Sequence, residues 1–201
     1  MKKQVFYIHG ASSYSNYDDF LKDLREGTLR NPHGEKSALW GSRIREFLPD
    51  YELFTPEMPN SQNAKYEEWK IWFERHFEFL NDGVCLVGWS QGAYFLLKYL
   101  SENKLPFKAS TLILVAPPCK PADFGGEDGG DFAFKIEKLP AVAEQVADIH
   151  IFHSKDDFVV PYEHAEILRA ALPEATLHTF EDRNHFLQED FPELIELIKN
   201  T

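Results

Sequence analysis

Gly88-Trp89-Ser90-Gln91-Gly92 is the stretch best placed to do chemistry. It follows the short apolar run 84–87 and precedes helix formers from Ala93 to Leu100, so a serine stands at a sharp strand-to-helix turn. A side chain two residues to either side of Ser90 would meet neighbouring backbone, which is why both places need glycine. Ser90 also stands at a helix N-terminus, where the free N–H of Gln91 can stabilise an oxyanion. A serine hydroxyl is a poor nucleophile until a base that titrates near neutrality takes its proton, and histidine is that base. An acid beside the histidine sets its tautomer and stabilises the imidazolium. Both partners follow in the chain just past predicted strand ends: Asp156-Asp157, then His185. His178 and His164 are rival bases, but one lies inside a predicted strand and the other inside a predicted helix, where a structural role suits them better. The competing reading of the glycine-rich turn is a βα connection with no catalytic role.

These residues need a sheet that brings strand ends together. Predicted strands are Gln4–His9, Tyr51–Thr55, Val84–Val87, Ser110–Ala116, Asp148–His153 and Thr176–Phe180. Near-continuous apolar runs such as Thr111-Leu112-Ile113-Leu114-Val115-Ala116 mark a parallel sheet covered on both faces. Helical periods follow a cap at Asn16, with Phe20, Leu21 and Leu24 on the inner face, and recur over Ser37–Leu48, Lys65–Leu80, Leu139–Val146, Tyr162–Leu172 and Pro192–Lys199. His76, beside the aromatic stripe of the third helix, reads as a packing residue. Residues 27–34 read as a loop. Met58, between Pro56 and Pro59, is equally a pocket residue or a structural plug.

The stretch 117–138 breaks the rhythm. It carries Gly125, Gly126, Gly129 and Gly130, the acids Asp123, Glu127, Asp128 and Asp131, and Phe124, Phe132 and Phe134. Two readings stand: a lid whose phenylalanines cover a pocket, or a solvated loop. No EF-hand pattern fits its acids.

A chain of 201 residues fits one α/β domain, and a hydrophobic fraction of 43% supplies a sizeable core. The net charge of −12 argues against nucleic acid or an anionic membrane surface as partner. Cys85 and Cys119 make no disulfide framework; the first reads as a buried apolar residue and the second as a free thiol. The apolar run 5–8 is too short for a signal-peptide core, so a cytoplasmic location is expected.

Taken together, Phe6-Tyr7-Ile8-His9-Gly10, Gly88-Trp89-Ser90-Gln91-Gly92, the segment 153–161 and Asn184-His185-Phe186 resemble the α/β-hydrolase superfamily. They resemble especially its compact single-domain serine hydrolases, typified by retinoblastoma-binding protein 9 and the YdeN-type proteins. The resemblance covers nearly the whole chain. It implies an α/β-hydrolase fold: a mostly parallel sheet of about six strands with helices on both faces. It implies the catalytic order Ser90, Asp157, His185, and it selects Asp157 over Asp156 because the family acid lies four residues before the closing proline, here Pro161. It places a second oxyanion donor at the N–H of Ala11, with His9 propping that loop. The family histidine follows a small or glycine-containing turn, whereas here Arg183-Asn184 precedes it.

The implied activity is hydrolysis of a small ester, thioester or related acyl substrate through an acyl-enzyme, carboxylesterase-like, with no metal or organic cofactor. Tyr14, Met58, Phe124, Phe158 and Phe186 are the candidate pocket residues, and the acidity of the possible lid over 117–138 leans towards neutral or cationic substrates. A protein-binding module on a hydrolase scaffold, and an acyltransferase or perhydrolase using the same site, are the alternatives; a protein partner is not readable.

Overall fold

The computed structural model describes residues 2–28, 39–122, 124 and 126–201. Six strands form one sheet in the order β2-β1-β3-β4-β5-β6, with every neighbouring pair parallel. They are β1 (Gln4–Ile8), β2 (Glu52–Phe54), β3 (Val84–Trp89), β4 (Ala109–Val115), β5 (Val146–Ser154) and β6 (Thr176–Phe180). The expected mostly parallel sheet is thus parallel throughout.

Period-two alternation divides the apolar side chains between two cores. Phe6, Ile8, Leu86, Leu112, Leu114 and Ile151 enter one; Val5, Tyr7, Val87, Ile113, Val115 and Phe152 enter the other. Both sets are apolar because both faces are covered. Full burial of each such side chain contributes roughly 1.5–3 kcal/mol. Helices α3 (Tyr66–Arg75), α4 (Gln91–Glu102), α5 (Pro140–Ala143) and α6 (Glu163–Ala171) cover the first face, and α2 (Trp40–Phe47) and α7 (Pro192–Asn200) the second.

Three predicted helices differ from those found. The one expected over Lys65–Leu80 stops at Arg75 and continues as a 3-10 turn at Phe77–Phe79. His76 causes the change: its Nδ1 bonds the Trp72 carbonyl at 2.7 Å and its backbone N–H tightens onto Phe73. The ring packs on Phe6 and Trp72, the packing role expected of it. The helix expected over Leu139–Val146 is only the four residues of α5, because the Gln145 amide staples Leu100, Asn103 and Ala141 carbonyls and β5 begins at Val146. Helix α1 (Tyr17–Glu26) is capped by Asn16 as expected but has no buried residue, and Leu24 is 59% exposed. The proposed start of α2 at Ser37 and most of the loop 27–34 lie outside the described residues.

Parallel strands put all their C-terminal ends on one edge. The chain order reverses between β1 and β3, and the crevice at such a switch point is where open α/β sheets bind ligands. The loops after β1, β3, β5 and β6 all open onto that edge.

Candidate active site

The turn after β3 is built as the glycine argument requires. Ser90 sits at φ 52°, ψ −118°, a strained conformation for a residue with a side chain. A Cβ on Gly88 would lie 2.7 Å from backbone atoms of Ala93, and one on Gly92 would lie 2.3 Å from the Ile8 carbonyl oxygen. The Ser90 N–H donates to Val115 O at 2.8 Å, tying the turn to β4. Gln91 is the first residue of α4, so its N–H has no intrahelical acceptor.

On the neighbouring strand end, His9 uses both ring nitrogens. The Met58 N–H donates to Nε2 at 2.9 Å, so Nδ1 carries the proton and donates to Gly10 O at 2.8 Å. Gly10 O and the Ala11 N–H belong to one planar trans peptide and point opposite ways. Holding the oxygen therefore aims the N–H away from His9. Gly10, Ala11, Ser90, Gln91 and His185 all line one cavity of about 560 Å³, a size suited to a small ligand.

The acid loop and the histidine loop are tied to each other. His185 Nδ1 lies 2.9 Å and 3.1 Å from the two Asp157 carboxylate oxygens, both side chains being buried. Asp157 Oδ1 also accepts the N–H groups of Val159 and Val160 at 2.8 and 2.9 Å. Hydrogen bonding to the carboxylate places the imidazole proton on Nδ1 and leaves Nε2 free to accept one.

Asp156 does something else. Its Oδ1 accepts the Ser154 hydroxyl at 2.5 Å and the Asn184 N–H at 2.9 Å, while the Arg183 N–H donates to Ser154 Oγ. The Ser154 hydrogen bond holds this carboxyl below the usual range. It clamps the histidine loop from outside. His153, fully buried, donates from Nε2 to Val160 O at 2.8 Å, and burial keeps it neutral by pulling its pKa down. The rival bases are occupied: His164 Nδ1 accepts the Cys119 N–H, and His178 stacks on Phe152 beside His150.

The proposed pocket residues scatter. Phe124 lines the cavity. Tyr14 is buried, with its ring against Phe20. Met58 is buried in the core and lines not this cavity but an adjoining groove between α1 and the loop 57–65. Phe158 is 69% exposed and does not line the cavity. Phe186 does not line it either: with φ 54°, it turns inward onto Phe180 and Phe191. The cavity walls are instead Phe20, Leu24, Leu39, Trp89, Val159 and Leu187, with the acids Asp23 and Glu127. Phe20 and Leu24 were readable as the apolar side of α1, which faces the cavity rather than the core.

Residues 117–138 divide as well. Pro118 and Phe124 reach the cavity, Phe132 is fully buried, and Phe134 packs on Tyr94. Glu127 accepts the Ser12 hydroxyl and the Ser13 N–H, Asp128 the Ser15 N–H, and Asp131 the Tyr66 N–H. Asp123 and Gly125 lie outside the described residues.

This sheet order, with a serine on a strained βα turn and a histidine–carboxylate pair from later strand ends, defines the α/β-hydrolase fold. The solved structure of the ydeN gene product from B. subtilis superimposes with a TM-score of 0.74 at 20% identity, covering 98% of this chain and 97% of that one. In sequence, the chain is similar to serine hydrolase RBBP9 of Rattus norvegicus, 26% identical over 166 residues (80% of this chain, 83% of that protein). It is also similar to the putative hydrolase YdeN of Bacillus subtilis (strain 168), 25% identical over 194 residues (94% and 89%). No protein-family model matches.

Proposed function

We propose that the protein is a serine hydrolase that cleaves a small carboxylic ester, thioester or related acyl compound. Ser90 is the nucleophile, His185 the general base, and Asp157 the acid that orients it. His185 Nε2 takes the Ser90 proton as Oγ attacks the acyl carbon. The tetrahedral oxyanion forms against the N–H groups of Ala11 and Gln91, each worth ~3 kcal/mol in the transition state. The imidazolium returns the proton to the departing alkoxide or thiolate, leaving an ester on Ser90. Water, deprotonated by the same Nε2, then releases the acid and restores the serine.

The observation that carries this reading is the Asp157–His185 pair opening onto the same cavity as the strained Ser90 turn. A structural carboxylate–imidazole pair has no need of an adjacent serine held at φ 52°. The similarity to proteins named as hydrolases supports the same class.

The test is labelling with a fluorophosphonate probe, followed by turnover of p-nitrophenyl esters of graded acyl length. Wild type is expected to label and turn over, and Ser90→Ala and His185→Ala to do neither. Failure of the folded wild type to label would overturn the proposal. Release to an alcohol acceptor in preference to water would move the protein to the acyltransferases.

A further inference from the structure

Glu127 is unlike the other acids of the insertion. It lines the cavity that holds Ser90 and His185, and it is fixed there from one side, by the Ser12 hydroxyl at 2.8 Å and the Ser13 N–H at 3.3 Å. Those two residues directly follow the oxyanion loop, so the carboxylate stands close to where the scissile carbonyl would lie. Among the described residues no lysine or arginine lines this cavity, and Asp23, the other acid on its wall, adds charge of the same sign. With no lysine or arginine beside it among the described residues, this half-buried carboxylate is costly in a site whose reaction builds negative charge.

The aromatic lining of the same cavity suits a cationic ligand. Phe20, Phe124 and Trp89 line it, and aromatic faces beside a carboxylate make a good environment for an ammonium group.

We infer that Glu127 is a specificity-determining residue: the favoured substrate is an acyl compound carrying a cationic amine close to its scissile carbonyl, and that amine docks on the Glu127 carboxylate. The inference rests on the serine hydrolase reading and deepens it. An incoming ammonium neutralises Glu127 and offsets the repulsion it would otherwise exert on the oxyanion. Anionic acyl groups are rejected by the same charge.

The amine could sit on the acyl or on the alcohol side, and matched substrates distinguish the two. The acyl arm compares 3-aminopropanoyl with butanoyl p-nitrophenyl esters. The alcohol arm compares butanoylthiocholine with its neutral 3,3-dimethylbutyl thioester isostere. In at least one arm, wild-type kcat/KM is expected to favour the cation by about 10- to 100-fold. That ratio should collapse towards one in Glu127→Gln and persist in Glu127→Asp.

Taking the ratio within each enzyme form removes any loss of folded or active protein. An equilibrium arm needs no turnover: n-butylammonium should bind wild type measurably more tightly than Glu127→Gln by calorimetry. Fluorophosphonate labelling with an unchanged substrate ratio in Glu127→Gln, or equal n-butylammonium binding, would sink the inference and leave the hydrolase reading intact. Loss of labelling in wild type would instead remove the hydrolase reading on which it rests.

Discussion

The two walls of the Ser90 cavity are held in different ways. One is made of strand-end turns, the other of α1 and the insertion between β4 and α5. On the first wall Asp157 has both oxygens engaged, His153 anchors the peptide after Val160, and Ser154 and Asp156 bind the histidine loop from behind. On the second, α1 buries no residue, Asp23 is exposed, and the polar links of Glu127, Asp128 and Asp131 run to one neighbouring loop and the start of α3. Chemistry needs atoms fixed to a few tenths of an ångström, whereas recognition needs shape and charge with some freedom to adapt. The contrast teaches that the rigid wall should govern kcat and the lightly bonded wall should govern which substrate is preferred.

The most severe break on the rigid wall is Asp157→Asn. Two backbone N–H groups, from Val159 and Val160, already point at Oδ1, so the asparagine oxygen must occupy that position. Its NH2 group then faces His185 Nδ1 and drives the imidazole proton to Nε2, where it blocks proton uptake from Ser90. Ester turnover should fall by about 10³- to 10⁴-fold with KM changed little. A loss of less than tenfold would show that Asp157 only packs the histidine.

A smaller effect is expected at His9, and its size depends on which nitrogen is kept. Asparagine can place an amide near the position of Nδ1 and retain the bond to Gly10 O. Glutamine can place its oxygen near Nε2 and retain the bond from Met58 but releases the Gly10–Ala11 peptide. Removal of an oxyanion donor costs about 10²- to 10³-fold in kcat, and a donor that is present but loosely aimed should cost less, about tenfold. His9→Gln should therefore lower kcat about tenfold while melting near wild type, and His9→Asn should retain more kcat at a lower Tm. The reverse order would mean that the His9 ring supports the loop only through Met58.

How much of this was legible in the sequence follows the same division. The strands were readable because a parallel sheet covered on both faces writes itself as apolar runs, and Thr176–Phe180 coincides with β6 residue for residue. The acid pair Asp156-Asp157 and His185 were readable as strand-end residues because their meeting depends only on strand order, while the choice of Asp157 came from the family resemblance. The recognition wall was not. Phe186 points inward because its φ is 54° and that of Asn184 is 49°, and no residue type there demands either value. Glu127 meets Ser12 across a separation of 115 residues, a contact with no local signature. Leu24 has the spacing of a core residue, but nothing in the spacing says whether a core or a cavity lies beneath the helix.

The smallest effect belongs to the recognition wall and concerns stability rather than rate. Burial raises the Glu127 carboxyl above its ordinary range, against the partial relief that the Ser12 and Ser13 hydrogen bonds provide. A carboxyl whose folded pKa lies above its unfolded value binds more protons when folded. Its charge therefore destabilises the fold at neutral pH, and that penalty is relieved as pH falls through the folded pKa. Glutamine removes the charge at every pH and keeps the geometry: its oxygen can accept the Ser13 N–H, and its amide can donate to the Ser12 hydroxyl, which accepts as readily as it donates. Glu127→Gln should melt about 1–3 °C above wild type at pH 7 by differential scanning calorimetry, the scale of a modest free-energy change in a domain of this size. The gain should shrink as pH is lowered through the folded carboxyl's titration. An acid kept at a cost to stability, on the wall that touches substrate, is what a specificity role would leave behind. A Glu127→Gln protein that melts lower at pH 7 would instead make Glu127 a strap between the insertion and the oxyanion loop, and the two walls would then be held alike.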